Sequence, residues 1–140
     1  MRDDETKSVT LIDTNKTLLP GLFLWNETDE VCNISLRYNG KEITAAEDDY
    51  FEALCSIRLS LENEGLFPHC YGASRNAYPS PMSRSMGGGI QIYKLRLGEP
   101  AKMIDLVYIF DESPDMEPVT VLEQQQFFQE WIVSLSREKD

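Results

Sequence analysis

No stretch of this 140-residue sequence approaches the roughly 20 apolar residues that cross a bilayer, and no apolar segment of the secretory kind follows Met1-Arg2-Asp3-Asp4-Glu5. The expectation is a cytoplasmic protein. Histidine occurs once, at His69, which removes any two-histidine metal site. Cysteine occurs three times, at Cys32, Cys55 and Cys70, an odd number without metal-ligand spacing. Reduced thiols are expected, with no disulfide frame, no metal and no other cofactor. Positive charge is scarce: 13 lysines and arginines face 24 aspartates and glutamates, for a formal net charge of -11. An acidic surface repels phosphate backbones and anionic lipid, so neither nucleic acid nor a membrane is expected as partner. A basic protein is favoured, although solubility alone is a plainer use of the same charge.

The composition that remains is that of an ordinary folded chain, 41% hydrophobic and 26% charged, and its length suits one domain over residues 1–140. Val9 to Ile12 and Leu22 to Trp25 read as short strands broken by a turn at Pro20-Gly21. Cys32, Ile34, Leu36 and Tyr38 alternate with polar residues, the period of two of a half-buried strand. Asn39-Gly40 then predicts a type I′ hairpin turn with Lys41 to Ile43 folding back.

Thr44 and Glu47 have capping-box spacing, and Tyr50, Phe51, Leu54, Ile57, Arg58 and Leu61 form a helical stripe that Gly65 ends. Residues 66–89 hold three prolines and four of the eight glycines, which favours ordered loop. Ile90 to Leu97 and Met103 to Phe110, joined by Gly98-Glu99-Pro100, read as antiparallel strands, the second apolar on both faces like a central strand. Thr120 and Glu123 form a second capping box before Phe127, Phe128, Trp131, Ile132 and Leu135, so a second helix is expected to pack on the sheet. The sum is an α+β fold, a mostly antiparallel sheet carrying two main amphipathic helices, and not a dinucleotide-binding α/β fold.

Chemistry-bearing motifs are thin. His69 beside Cys70 suggests a thiolate pair, but adjacent side chains rarely face each other, and no catalytic residue is assigned. Gly87-Gly88-Gly89 invites a phosphate cradle, yet no Gly-Lys-Ser/Thr follows and the run leads toward a strand, so a turn or bulge competes. Charge is segregated along the chain: residues 1–67 carry -8, residues 68–104 carry +4 and residues 105–140 carry -7. Arg75, Tyr78, Ser83 and Arg84 offer an alternative ligand site for a small molecule or phosphate, with or without catalysis. The competing structural reading is internal salt bridging to the flanking carboxylates.

Two acidic groups are candidates for a partner surface: Glu47, Asp48 and Asp49 at the start of the first helix, and Asp111, Glu112, Asp115 and Glu117 before the second. The helix dipole alone explains the first group, and the second lacks the ligand pattern of a calcium loop. The stretch from Cys70 to Asn76, the run Met86 to Gly89 and the terminal helix from Glu123 to Trp131 sit in a small acidic chain. In these features the sequence resembles the immunity proteins of bacterial polymorphic-toxin and contact-dependent inhibition systems. That resemblance implies a cytoplasmic inhibitor that covers the active site of a basic toxin domain, such as a nuclease, through acidic side chains; oligomeric state stays open.

Overall fold

The computed structural model describes residues 5–137. The opening residues Met1 to Asp4, part of the leader argument above, lie outside that range. Eight strands and three α-helices follow in the order β1 (Glu5–Asp13), β2 (Leu18–Thr28), β3 (Val31–Tyr38), β4 (Lys41–Glu47), α1 (Tyr50–Glu62), β5 (Leu66–Pro68), β6 (Ala77–Tyr78), α2 (Pro81–Gly87), β7 (Gln91–Lys94), β8 (Leu106–Tyr108) and α3 (Val121–Arg137). Two sheets, ordered β4-β3-β2-β1-β5 and β6-β7-β8, pair antiparallel throughout. The class is α+β, with the larger sheet curled into a half-barrel around α1.

The first hairpin corrects one expectation. Pro20 and Gly21 lie inside β2, opposite Thr10 and Val9, and the turn comes earlier, where the Asp13 carboxylate accepts from the amides of Asn15 and Thr17. Proline is tolerated because β3 ends opposite Gly21, which leaves β2 a strand neighbour on one side only at Pro20. Gly21 suits close packing: a Cβ there would sit 3.2 Å from Val9 Cγ1 and 3.3 Å from Leu36 Cδ1, so those side chains would have to give way. Asn39-Gly40 forms its turn as expected, with φ of 51° and 72°.

A second correction concerns the start of α1. Thr44 and Glu47 do not cap a helix; they extend β4, opposite Ser35 and Cys32. The cap is Asp49, whose carboxylate accepts from the Glu52 amide at 2.7 Å. Gly65, at φ +72°, turns the chain after the helix into β5. The stripe buries Phe51, Leu54, Ile57 and Leu61 against Leu11, Phe23, Ile34 and Leu36 of the curled sheet. Each such side chain contributes about 1.5–3 kcal/mol of burial, which fixes α1 as the plug of the half-barrel.

Residues 66–89 are more regular than their composition suggests, holding β5, β6, α2 and a 3-10 turn at Tyr71–Ala73. The second sheet also differs. Met103–Asp105 forms a 3-10 turn, and β8 is a three-residue edge strand, with β7 at the centre. The Thr120 and Glu123 box closes in both directions at 3.0 Å. Beyond it α3 packs against β6 and α1 instead of lying across the large sheet: Val121 and Gln124 are buried, Phe127, Phe128, Trp131 and Leu135 are half-buried, and Ile132 is exposed.

Candidate functional site

The loop carboxylates before α3 are largely committed within the molecule. Asp111 pairs with Lys7 at 3.3 Å, Glu112 meets His69 Nδ1 at 2.8 Å, and Glu117 takes both arms of Arg75 at 3.0 and 3.4 Å. Asp115 accepts from the Ser113 hydroxyl. Pairs this exposed contribute about 0–1 kcal/mol each, so they orient the loop more than they stabilise the fold.

The arginines of the alternative site face different neighbours. Arg75 serves Glu117, while Arg84 spans Asp49 and Glu52 at 3.2 and 3.1 Å and lies over the rings of Phe51 and Tyr78. Tyr78 is wedged between Phe51 and Phe128, with centroids at 5.1 and 4.1 Å, and Ser83 donates to the Ser80 carbonyl. Arg84 and Tyr78 thus meet, guanidinium over ring, while Arg75 and Ser83 have other partners, and both arginines are held in internal ion pairs.

Glycines 87–89 have a structural job at the same place. Gly88, at φ +66°, ends α2, and its carbonyl accepts from the Tyr50 amide at 2.6 Å. Gly89 packs so closely that a Cβ would lie 3.1 Å from Asp49 Oδ1 and 3.2 Å from the Phe51 nitrogen. The Gly88 and Gly89 amides are both spent on the Ser83 carbonyl, which replaces the phosphate-cradle reading. Asp49 itself is buried, which corrects the expectation that it belongs to an exposed cluster.

His69 and Cys70 do not form a thiolate pair. Cys70 is fully buried, and burial pushes its thiol up to about 12, while His69 turns to Glu112. The most deeply buried charged group among the described residues is Arg58, 1% exposed, whose guanidinium donates to the carbonyls of Gly72 and Val119, both at 2.9 Å, and to Gln124 Oε1. Gln124 in turn donates to the carbonyls of Gly72, Ser74 and Ala77. Burial lowers the Arg58 pKa, and its Nε has no hydrogen-bond partner. Arg58 thus appears in the apolar stripe as a fastener between α1, the 3-10 turn and α3.

What remains exposed and acidic gathers at one end of the large sheet. Glu27 on β2 stands opposite Cys32 on β3, which stands opposite Glu47 on β4, so these three share one face in a row. Asp29 and Glu30 form the β2–β3 turn beside them, and Asp48 follows Glu47. Glu27, Asp29 and Glu30 border, with Tyr50, an open depression of about 370 Å³. None of these five carboxylates meets a cation in the salt bridges among the described residues. The Cys32 thiol registers their field: burial first, then Glu27, Asp49 and Asp48, push it up to about 11. Glu30 holds φ of 67°, a left-handed conformation that costs a non-glycine residue roughly 1 kcal/mol.

Sequence reasoning found Glu47 and Asp48 but missed Glu27, Asp29 and Glu30. Their signal was present in two acidic residues between strands, one of the turn spellings that accept positive φ at its first position. No protein-family model and no curated protein matches the chain. The surface must therefore be read from its own chemistry. Among the described residues, no group of histidine, cysteine or carboxylate side chains suits a metal ion, and no helix is long and apolar enough to cross a membrane.

Proposed function

We propose that the protein is an acidic cytoplasmic binding protein of the immunity kind, which neutralises a basic toxin domain by covering its cationic active site. One observation carries this reading: the described cations are largely drawn into internal pairs, while Glu27, Asp29, Glu30, Glu47 and Asp48 stand together without one. An uncompensated carboxylate row beside a turn steers a positively charged partner during encounter and sets its orientation. The loop residues Asp111, Glu112, Asp115 and Glu117 take a secondary place, since each already has a polar partner.

The test is co-expression with the products of the neighbouring genes and, for a basic domain that this protein binds, stopped-flow association at low and physiological salt. The expected rate falls steeply with salt, and the triple variant Glu27→Lys, Asp29→Lys, Glu30→Lys slows association at least tenfold, within the 10–10³-fold range of electrostatic steering. Equal rates for the variant and the parent remove this row from the interface.

A further inference from the structure

The two edges of the large sheet differ. β5 has three residues and ends at Pro68, whereas β4 runs for seven, without proline and without a break in its register on β3. In the small sheet the edge strands β6 and β8 have two and three residues. Folded chains keep edge strands short or block them with proline or a bulge, because open backbone groups invite a further strand. Among the described edges, β4 is the long one left open.

The hairpin decides which of its groups are free. Across the Asn39-Gly40 turn the Lys41 amide faces the Tyr38 carbonyl, so Lys41, Ile43, Ala45 and Glu47 spend their backbone groups on β3. By alternation Glu42, Thr44 and Ala46 point theirs away from the sheet. No backbone bond from another described segment reaches these three, and all are exposed. Helix α1 runs alongside: the Ser56 hydroxyl donates to Glu47 at one end of β4, and Glu64 meets Lys41 at the other, both at 3.2 Å. Leu59, one helical turn beyond Ser56 on the same face, lies between these anchors and is 53% exposed.

We infer that β4 pairs with β4 of a second copy of this chain, antiparallel about a twofold axis at Thr44, which joins two five-stranded sheets into one. In this register the strand is complementary to itself. Lys41 falls opposite Glu47 of the second copy, Ile43 opposite Ala45, Thr44 opposite Thr44 and Glu42 opposite Ala46, so opposite charges meet and like charges do not. Glu42, Thr44 and Ala46 of each copy exchange amide and carbonyl bonds across the joint. Glu47 meets no cation in the salt bridges among the described residues, and Lys41, already on Glu64, keeps further ammonium donors for it. Other registers lose this match. An axis at Ala45 sets Glu42 against Asp48 and Ile43 against Glu47, and an axis at Ile43 parts Glu47 from Lys41. Antiparallel order also keeps the acidic ends of two chains of net charge -11 apart, along a joint about 24 Å long. The inference goes beyond the proposed function and does not rest on it, since Glu27, Asp29, Glu30 and Asp48 lie outside the joint.

Sedimentation equilibrium of the full chain tests it. A reversible dimer, at twice 16.0 kDa, is expected below millimolar concentration. Thr44→Glu sets two carboxylates face to face at the axis on an exposed position and should raise the dimer dissociation constant by roughly tenfold or more. Lys41→Glu and Glu47→Lys each put like charges across both ends of the joint and should each weaken self-association by about tenfold. An equimolar mixture of these two variants, one of them isotopically labelled, restores opposite charges at both ends, so native mass spectrometry should show a heterodimer in excess of either homodimer. If Thr44→Glu fails to fold, the mixture carries the test alone. A monomer at millimolar concentration, a dimer indifferent to a folded Thr44→Glu, or a mixture that associates no better than its components would each overturn the inference. None of these results depends on whether a toxin partner exists.

Discussion

Arg58 and Gln124 show how much of the molecule hangs on two polar side chains in an apolar setting. Gln124 supplies donors to three buried carbonyls and the acceptor for a buried cation, so Gln124→Leu should cost about 3 kcal/mol and lower the urea midpoint with little change in slope. Gly72 is as constrained from the other side. A Cβ there would fall 2.3 Å from Leu54 Cδ2 and 3.2 Å from the Ile109 carbonyl, and Gly72→Ala should lose about 1–3 kcal/mol by the same measurement. Glu30 differs in kind: Glu30→Gly relieves a left-handed backbone and should leave stability within about 0.5 kcal/mol of the parent, while association with a basic partner slows. A residue of that behaviour is held for binding, not for folding.

At the scale of elements, the two capping boxes make an instructive pair. Thr120 and Glu123 read as a helix start and are one; Thr44 and Glu47 have the same spelling and lie in a strand. Pairing of β4 along β3 outweighs the local cap, and Asp49, two residues on, takes the capping role with Arg84 and Gly88 in support. Asp49→Ala should therefore cost about 2 kcal/mol in urea unfolding, against less than about 0.5 for Glu47→Gln. Local patterns were legible wherever one stretch of chain contained the whole interaction, as in the alternation of β3 and the Asn39-Gly40 turn. They failed where the partner was distant: Pro20 fits β2 because of where β3 ends, and β8 is an edge because β7 takes the centre. The candidate site follows the same rule. Sequence gives every carboxylate, but only the fold decides that Glu117 finds Arg75 while Glu27 and Glu47 converge on Cys32 without a cation.

For the whole molecule, titration sets the working range. Burial raises Cys32 and Cys55 from 9.0 to about 11 and Cys70 to about 12, and burial with the Glu64 hydrogen bond raises Tyr38 from 10.0 to about 12. The folded state holds these protons more tightly than the unfolded chain, so their contribution is complete below about pH 9 and is lost as pH rises toward 12. Glu64 and Glu123 act oppositely. The Tyr38 hydroxyl and the Thr120 amide hold them below the usual carboxylate value, so stability is lost as pH falls through and below 4.5. Urea midpoints plotted against pH should form a plateau with an alkaline fall beginning near 9, and Cys70→Ala should blunt that fall.

The placement of Arg58 has a consequence for synthesis. A nascent chain that has reached residue 110 already carries this guanidinium on a finished helix sequence, yet Val119 and Gln124, which accept two of its three hydrogen bonds, have not been made. Until they arrive, the cation has reason to stay in water, and the helix that plugs the half-barrel cannot seat with all its neighbours. Docking of the first half of the protein is thereby deferred to the emergence of the last helix, so the chain locks late and as one body.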